Sequence, residues 1–171
     1  GVRGLSGSVD ALKFNRFVTA VAARCSQLLN YKALANDADI DMPTAKNWVN
    51  ILETLGIIFL LHPYSNNVLK RTIKTPKVYF YDTGLVCYLT RWSSPEVAES
   101  GAMSGALLEN FTVSEIMKSY QNAGLEPYLY FYRDRDAKEI DVILEGDGKL
   151  CPLEIKKTAT PDKRLTRVFS V

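Results

Sequence analysis

Two carboxylates and an amine, Asp141, Glu154 and Lys156, lie where local patterning brings them onto one surface. Alternation over Ile140–Leu144 and over Leu150–Lys156 marks two strands, and Glu145-Gly146-Asp147-Gly148-Lys149 between them is turn-forming. Asp147-Gly148 is a favoured dipeptide of a two-residue type I′ turn. Centring the hairpin there pairs 146 with 149, 144 with 151, 141 with 154 and 139 with 156. Asp141 then faces Glu154, with Cβ atoms roughly 4.5–5.5 Å apart, and Lys156 lies on the same face. The other face, Ile140, Val142 and Leu144 against Cys151, Leu153 and Ile155, reads as core.

Directly opposed carboxylates repel unless a cation, a lysine or a shared proton compensates. A divalent metal on carboxylate oxygens, with a lysine to steady charge developing on phosphate, makes the opposition useful. The same spacing also suits a solvated sheet face in which Lys156 pairs with Glu139 or Glu154. A further carboxylate, Glu109, falls on the apolar stripe of a helix predicted over Leu107–Gln121, with Val113, Ile116 and Tyr120. Burying an unpaired charge is costly, so Glu109 sits at a rim or has a partner.

The elements that must position these groups are legible along the chain. Leu12, Phe17, Val18, Val21, Ala22, Cys25, Leu28 and Leu29 recur at helical spacing after Ser8 and Asp10, which suit a helix start. A short helix fits Tyr31–Asp37. A third, with Pro43 at its start, runs to Leu55 with Trp48, Val49, Leu52 and Leu55 inward, and Gly56 ends it. Ile57–Leu61 and Lys77–Tyr81 are antiparallel strands, Val86–Leu89 makes a helical turn, and Leu125–Arg133 is a strand leading through the Asp134–Lys138 turn to Asp141.

Helix, helix, turn, helix, hairpin is the order of a winged helix-turn-helix. A DNA-binding version would present Lys46, Asn47 and Asn50 to the major groove, with the hairpin on the backbone. Lys70, Arg71, Lys74 and Lys77, with no acid between them, form a phosphate-contacting patch or a solvated loop. The expected organisation is a winged-helix-like domain over 1–90, a surface linker over 91–106 and a second domain over 107–171.

Composition excludes several classes. At 171 residues, 47% hydrophobic and 23% charged, the chain is ordinary for a globular protein, and a net charge of +2 does not by itself argue for nucleic acid. Three dispersed cysteines and the single histidine, His62, disfavour disulfide scaffolds, zinc sites and a His-dependent triad. No apolar run reaches membrane-spanning length and the start has no secretory pattern, so a cytoplasmic location without membrane contact is expected.

A helix with Glu109, a strand with Asp141 and a strand with Glu154-Ile155-Lys156 follow in an order that resembles the restriction-endonuclease-like, or PD-(D/E)xK, fold. The resemblance implies an α/β (α+β) architecture: the winged helix-turn-helix, then a mixed sheet with flanking helices. It implies Mg²⁺ on Asp141 and Glu154, with Glu109 completing the site and Lys156 activating water or steadying phosphate. Ile140 stands where the motif's name has proline.

More specifically, Gly56-Ile57-Ile58, Pro76-Lys77-Val78-Tyr79-Phe80-Tyr81-Asp82-Thr83-Gly84-Leu85, Gly105-Ala106-Leu107-Leu108-Glu109-Asn110-Phe111 and Glu139-Ile140-Asp141-Val142 are similar to the C-terminal half of prokaryotic AAA+-superfamily ATPases. That half carries a domain of unknown function numbered 4143. The resemblance implies a partner ATPase domain in the same full-length chain and ATP binding only there, because no Gly-x-x-x-x-Gly-Lys-Ser/Thr loop occurs here. It also implies a fragment ending inside the helix after Lys156, with Lys163, Arg164 and Arg167 available to complete a site. Two functions compete: a metal-dependent nuclease acting on DNA, and an inert descendant that binds DNA or protein and regulates the ATPase.

Overall fold

The computed structural model describes residues 2–65 and 73–157. Among them the fold is mixed α+β, with six helices and two small antiparallel sheets. Helices α1 (Val2–Ala22), α2 (Tyr31–Ala38) and α3 (Met42–Thr54) precede the hairpin β1 (Ile58–Leu61) and β2 (Lys77–Phe80). Helices α4 (Thr83–Leu89), α5 (Pro95–Ser100) and α6 (Ser104–Asn122) lead to β3 (Leu129–Arg133), β4 (Glu139–Gly146) and β5 (Lys149–Leu153), paired in the order β3-β4-β5.

Local capping explains several boundaries. Asn30 accepts a hydrogen bond from Ala33 N (3.0 Å), and Asp41 accepts one from Thr44 N (2.8 Å), fixing the starts of α2 and α3. Gly56 takes the left-handed conformation (φ 67°) that turns the chain out of α3 into β1. Leu55, expected inward, is the C-cap of α3 and is exposed. Trp48 does pack inward, edge-on to Phe14 and Phe17 at 5.1 and 5.4 Å.

The first helix differs from expectation at both ends. Ser8 and Asp10 lie inside α1, which stops at Ala22 although helical spacing of apolar residues continues to Leu29. The cause is β2. Ser26 N donates to Val78 O (2.8 Å), Val78 N to Gln27 O (3.1 Å) and Leu29 N to Pro76 O (2.8 Å), so residues 26–29 leave the helix and close the outer edge of β2. Farther along that edge, buried Asn110 of α6 accepts from Phe80 N (2.8 Å) and donates to Phe80 O (3.1 Å), as another strand would.

The β1–β2 hairpin is consequently a partition, not an exposed wing. Ile58, Leu60, Val78 and Phe80 face a core built with α1–α4, while Phe59, Leu61 and Tyr79 face a second core with Val113 and Met117 of α6, Leu129, Phe131 and Val142. Period-2 alternation in two four-residue strands thus serves both cores. Lys77, expected to contact phosphate at the surface, is 3% exposed. The expected surface linker over 91–106 instead contains α5, and Trp92, Ala98, Met103 and Ala106 pack against the first core.

The β4–β5 hairpin has the expected register, Val142↔Leu153 through Gly146↔Lys149, around a turn in which Asp147 (φ 51°) and Gly148 (φ 71°) both adopt positive φ. The faces do not alternate as expected. Tyr130 pairs with Ile143 but Tyr132 with Ile140, so Asp141 and Val142 together oppose the single residue Phe131. This bulge puts Ile140 with Ile143 and Tyr132 in a small separate cluster, while Val142 joins the second core. Cys151, expected in the core, is exposed on β5.

Candidate active site

The bulge holds the first acid. Asp141 is 8% exposed, and its Oδ2 accepts a hydrogen bond from Ile155 N at 2.7 Å. The β4–β5 ladder ends at Val142↔Leu153, so this side chain continues the cross-strand connection past the last backbone pair. It anchors the backbone between Glu154 and Lys156.

Glu154 Oε1 lies 2.5 Å from Lys156 Nζ, the glutamate side chain being 10% exposed and the lysine 47%. That hydrogen bond, with support from Asp141 and Glu109, holds the Lys156 ammonium above the usual lysine range. Lys156 therefore pairs with Glu154 and not with Glu139. The second Glu154 oxygen, Oε2, is buried without a hydrogen-bond partner among the described residues. A buried carboxylate oxygen left this way is costly, and an ion or ordered water is its usual complement.

Glu109 has the partners its apolar stripe demanded, and they come from the hairpin. Its Oε1 accepts hydrogen bonds from Tyr79 OH (2.6 Å) and Lys77 Nζ (2.9 Å), and Lys77 Nζ also lies 2.5 Å from Glu139 Oε1. Burial opposes the Lys77 charge, but Glu109 and Glu139 outweigh it and hold the ammonium above its ordinary value. Burial pushes the Glu109 carboxyl up, with Lys77 and Tyr79 pulling against it and Asp141 adding to the rise. Burial and then Glu109 drive the Tyr79 phenol far upward.

Asp141, Glu154 and Glu109 therefore all act on the Lys156 ammonium, and Asp141 and Glu109 act on one another. They do not form a three-carboxylate cage: among the described residues no group of three His, Cys, Asp or Glu side chains can hold a metal ion. Glu109 is engaged with Lys77 and Tyr79, leaving Asp141 and Glu154. Two carboxylates suit Mg²⁺, which keeps several waters and takes substrate phosphate oxygens to complete its shell. The partnerless Glu154 Oε2 fits such an ion.

The groups proposed for nucleic acid are not gathered at this site. Lys46, Asn47 and Asn50 are exposed together on α3, with Lys46 Nζ 5.7 Å from the Tyr31 ring centroid. Lys74 is exposed before β2, Lys77 is buried, and Lys70 and Arg71 lie outside the described residues, as do Lys163, Arg164 and Arg167. Sequence reasoning missed Lys77, Tyr79 and Glu139 as parts of the acidic site. The only signal was that Glu109, on an apolar face, required a partner.

Residues 104–171 match the domain of unknown function DUF4143, and residues 2–96 match the domain of unknown function DUF8612. The chain is 30% identical over 154 residues to Uncharacterized protein Rv2008c of Mycobacterium tuberculosis and to Uncharacterized protein Mb2031c of Mycobacterium bovis. The matched region is 90% of this chain and 34% of each relative, so the chain spans about a third of their length. No solved structure matches it. With 95 of its 171 residues inside the DUF8612 match, the chain belongs to the DUF8612 family and carries a DUF4143 region after it.

Proposed function

We propose that this chain is the DNA-processing part of a longer ATPase-type protein and that its DUF4143 region is a Mg²⁺-dependent phosphodiesterase of restriction-endonuclease-like fold. The observation that carries the reading is the buried, partnerless Oε2 of Glu154, whose other oxygen holds Lys156 and whose chain neighbour Ile155 donates its N–H to Asp141. Asp141 and Glu154 would hold the ion, which supplies Lewis acidity and a more acidic bound water. Lys156, bound to Glu154 yet half-exposed, presents a fixed positive charge where charge develops on a phosphate oxygen.

The order α1–α2–α3–β1–β2 supports a winged helix-turn-helix reading, with Lys46, Asn47 and Asn50 of α3 as its DNA-facing groups. The greater length of the curated relatives leaves room for the ATPase domain that the resemblance implies. No described helix is long and apolar enough to cross a membrane.

Calorimetric titration with Mg²⁺ or Mn²⁺ tests the ion site. Binding should be lost in Asp141→Ala and Glu154→Gln. Nicking of supercoiled plasmid should need the ion and should fall at least about 100-fold in Lys156→Ala, the range of a removed transition-state donor. No binding at millimolar metal, with equal background cleavage in every variant, sinks the reading. That result would favour a non-catalytic DNA- or protein-binding module, a reading supported by the lysine already built into the acidic cluster at Glu109.

A further inference from the structure

Lys77 is 3% exposed, and a buried ammonium has a desolvation cost of several kcal/mol unless its partners are well placed. Its partners come from three elements of the DUF4143 region: Glu109 of α6 at 2.9 Å, Glu139 of β4 at 2.5 Å, and the Phe131 ring of β3 at 5.5 Å. Arg133 reaches the other oxygen of Glu139 at 3.4 Å, and Tyr79, next but one on β2, donates to the same Glu109 oxygen as Lys77. Asp141 and Lys156 also act electrostatically on Glu109. The hairpin of the DUF8612 region thus inserts a cation among acids of the DUF4143 region.

We propose that Lys77 is a positioning residue that acts through Glu109: by holding this carboxylate on the hairpin it keeps Glu109 out of the ion's coordination and restricts the site to Asp141 and Glu154. The inference rests on the phosphodiesterase reading for the ion but not for the Lys77–Glu109 pair. To reach an ion held by Asp141 and Glu154, Glu109 would have to surrender both the Lys77 and the Tyr79 hydrogen bonds. With the ammonium gone, a divalent cation becomes the strongest available partner for the freed carboxylate. The two family regions then act as one unit, because the first supplies the group that defines the site of the second.

Calorimetric Mn²⁺ titration of the whole chain tests this. Glu109→Gln should leave affinity within about twofold of wild type, since a group outside the coordination contributes no ligand oxygen. Lys77→Met should bind Mn²⁺ about tenfold more tightly, the lower end of what groups around a metal site contribute. Lys77→Arg should match wild type, and Lys77→Met combined with Glu109→Gln should cancel the gain. A merely structural lysine would give weaker binding in Lys77→Met, never tighter. If that variant fails to fold, Lys77→Gln replaces it.

A tenfold loss in Glu109→Gln, or no gain on removing the ammonium from a wild type that binds, overturns the proposal and leaves the phosphodiesterase reading intact. Binding by the Lys77 variant alone would mean that Asp141 and Glu154 hold no ion in the wild type, and overturns both the proposal and that reading. If neither protein binds Mn²⁺, both fall.

Discussion

Asn110→Leu isolates the cost of the join between α6 and the hairpin. Asn110 is fully buried, and its amide satisfies Phe80 N at 2.8 Å and Phe80 O at 3.1 Å while donating to Thr83 Oγ1 at 2.9 Å. Leucine has a similar volume and no polar atoms, so both Phe80 backbone groups become buried without partners. At roughly 1–3 kcal/mol for each orphaned group, the loss is about 2–6 kcal/mol, a large share of the ~5–15 kcal/mol that holds a typical protein folded. For a chain of this size, at roughly 2–4 °C per kcal/mol, the melting midpoint should fall by about 10 °C. Thermal unfolding followed by circular dichroism measures it, with Thr83→Val, which removes only one neutral hydrogen bond worth about 1 kcal/mol, as the internal scale. If Asn110→Leu melted no lower than Thr83→Val, the idea that this side chain substitutes for a strand at the edge of β2 would be refuted.

Other consequences follow from the same packing. A Cβ on Gly101 would lie 2.3 Å from Trp92 Cζ3, so Gly101→Ala should destabilise by about 1–3 kcal/mol through overpacking and shift tryptophan emission. Burial pushes the Cys25 thiol from 9.0 up to about 12. Above pH 9 the unfolded thiol ionises while the folded one stays protonated, so the unfolded state binds fewer protons and stability falls as pH rises. Urea titrations between pH 9 and pH 11 should show a loss of ~1.4 kcal/mol per pH unit from this group, diminished in Cys25→Ala; an unchanged slope would refute its burial. Under alkylation at pH 8, exposed Cys151 should react first and buried Cys25 last, read by mass spectrometry of the labelled peptides.

Much of the fold was legible because its signals are local. Pro43 and Gly56 punctuate the third helix through φ preferences that need no distant partner. Asp147-Gly148 forced the turn, and the turn forced the register that carries Asp141 toward Glu154. The type and order of the elements around Glu109, Asp141 and Lys156 were readable for the same reason.

What the amino-acid order could not settle was which backbone and side-chain groups would satisfy one another across the chain. Helical spacing continued to Leu29, but residues 26–29 were taken by the open edge of β2, whose hydrogen-bonding needs exist only once the hairpin has formed. Period-2 alternation placed Asp141 and Ile140 on opposite sheet faces, and the bulge opposite Phe131 broke that alternation by one residue. Lys77 looked like one basic residue in a surface patch. Only the docking of α6 and β4 against the hairpin made it a buried cation between Glu109 and Glu139, because the partners that make its burial affordable lie 32 and 62 positions away in the chain.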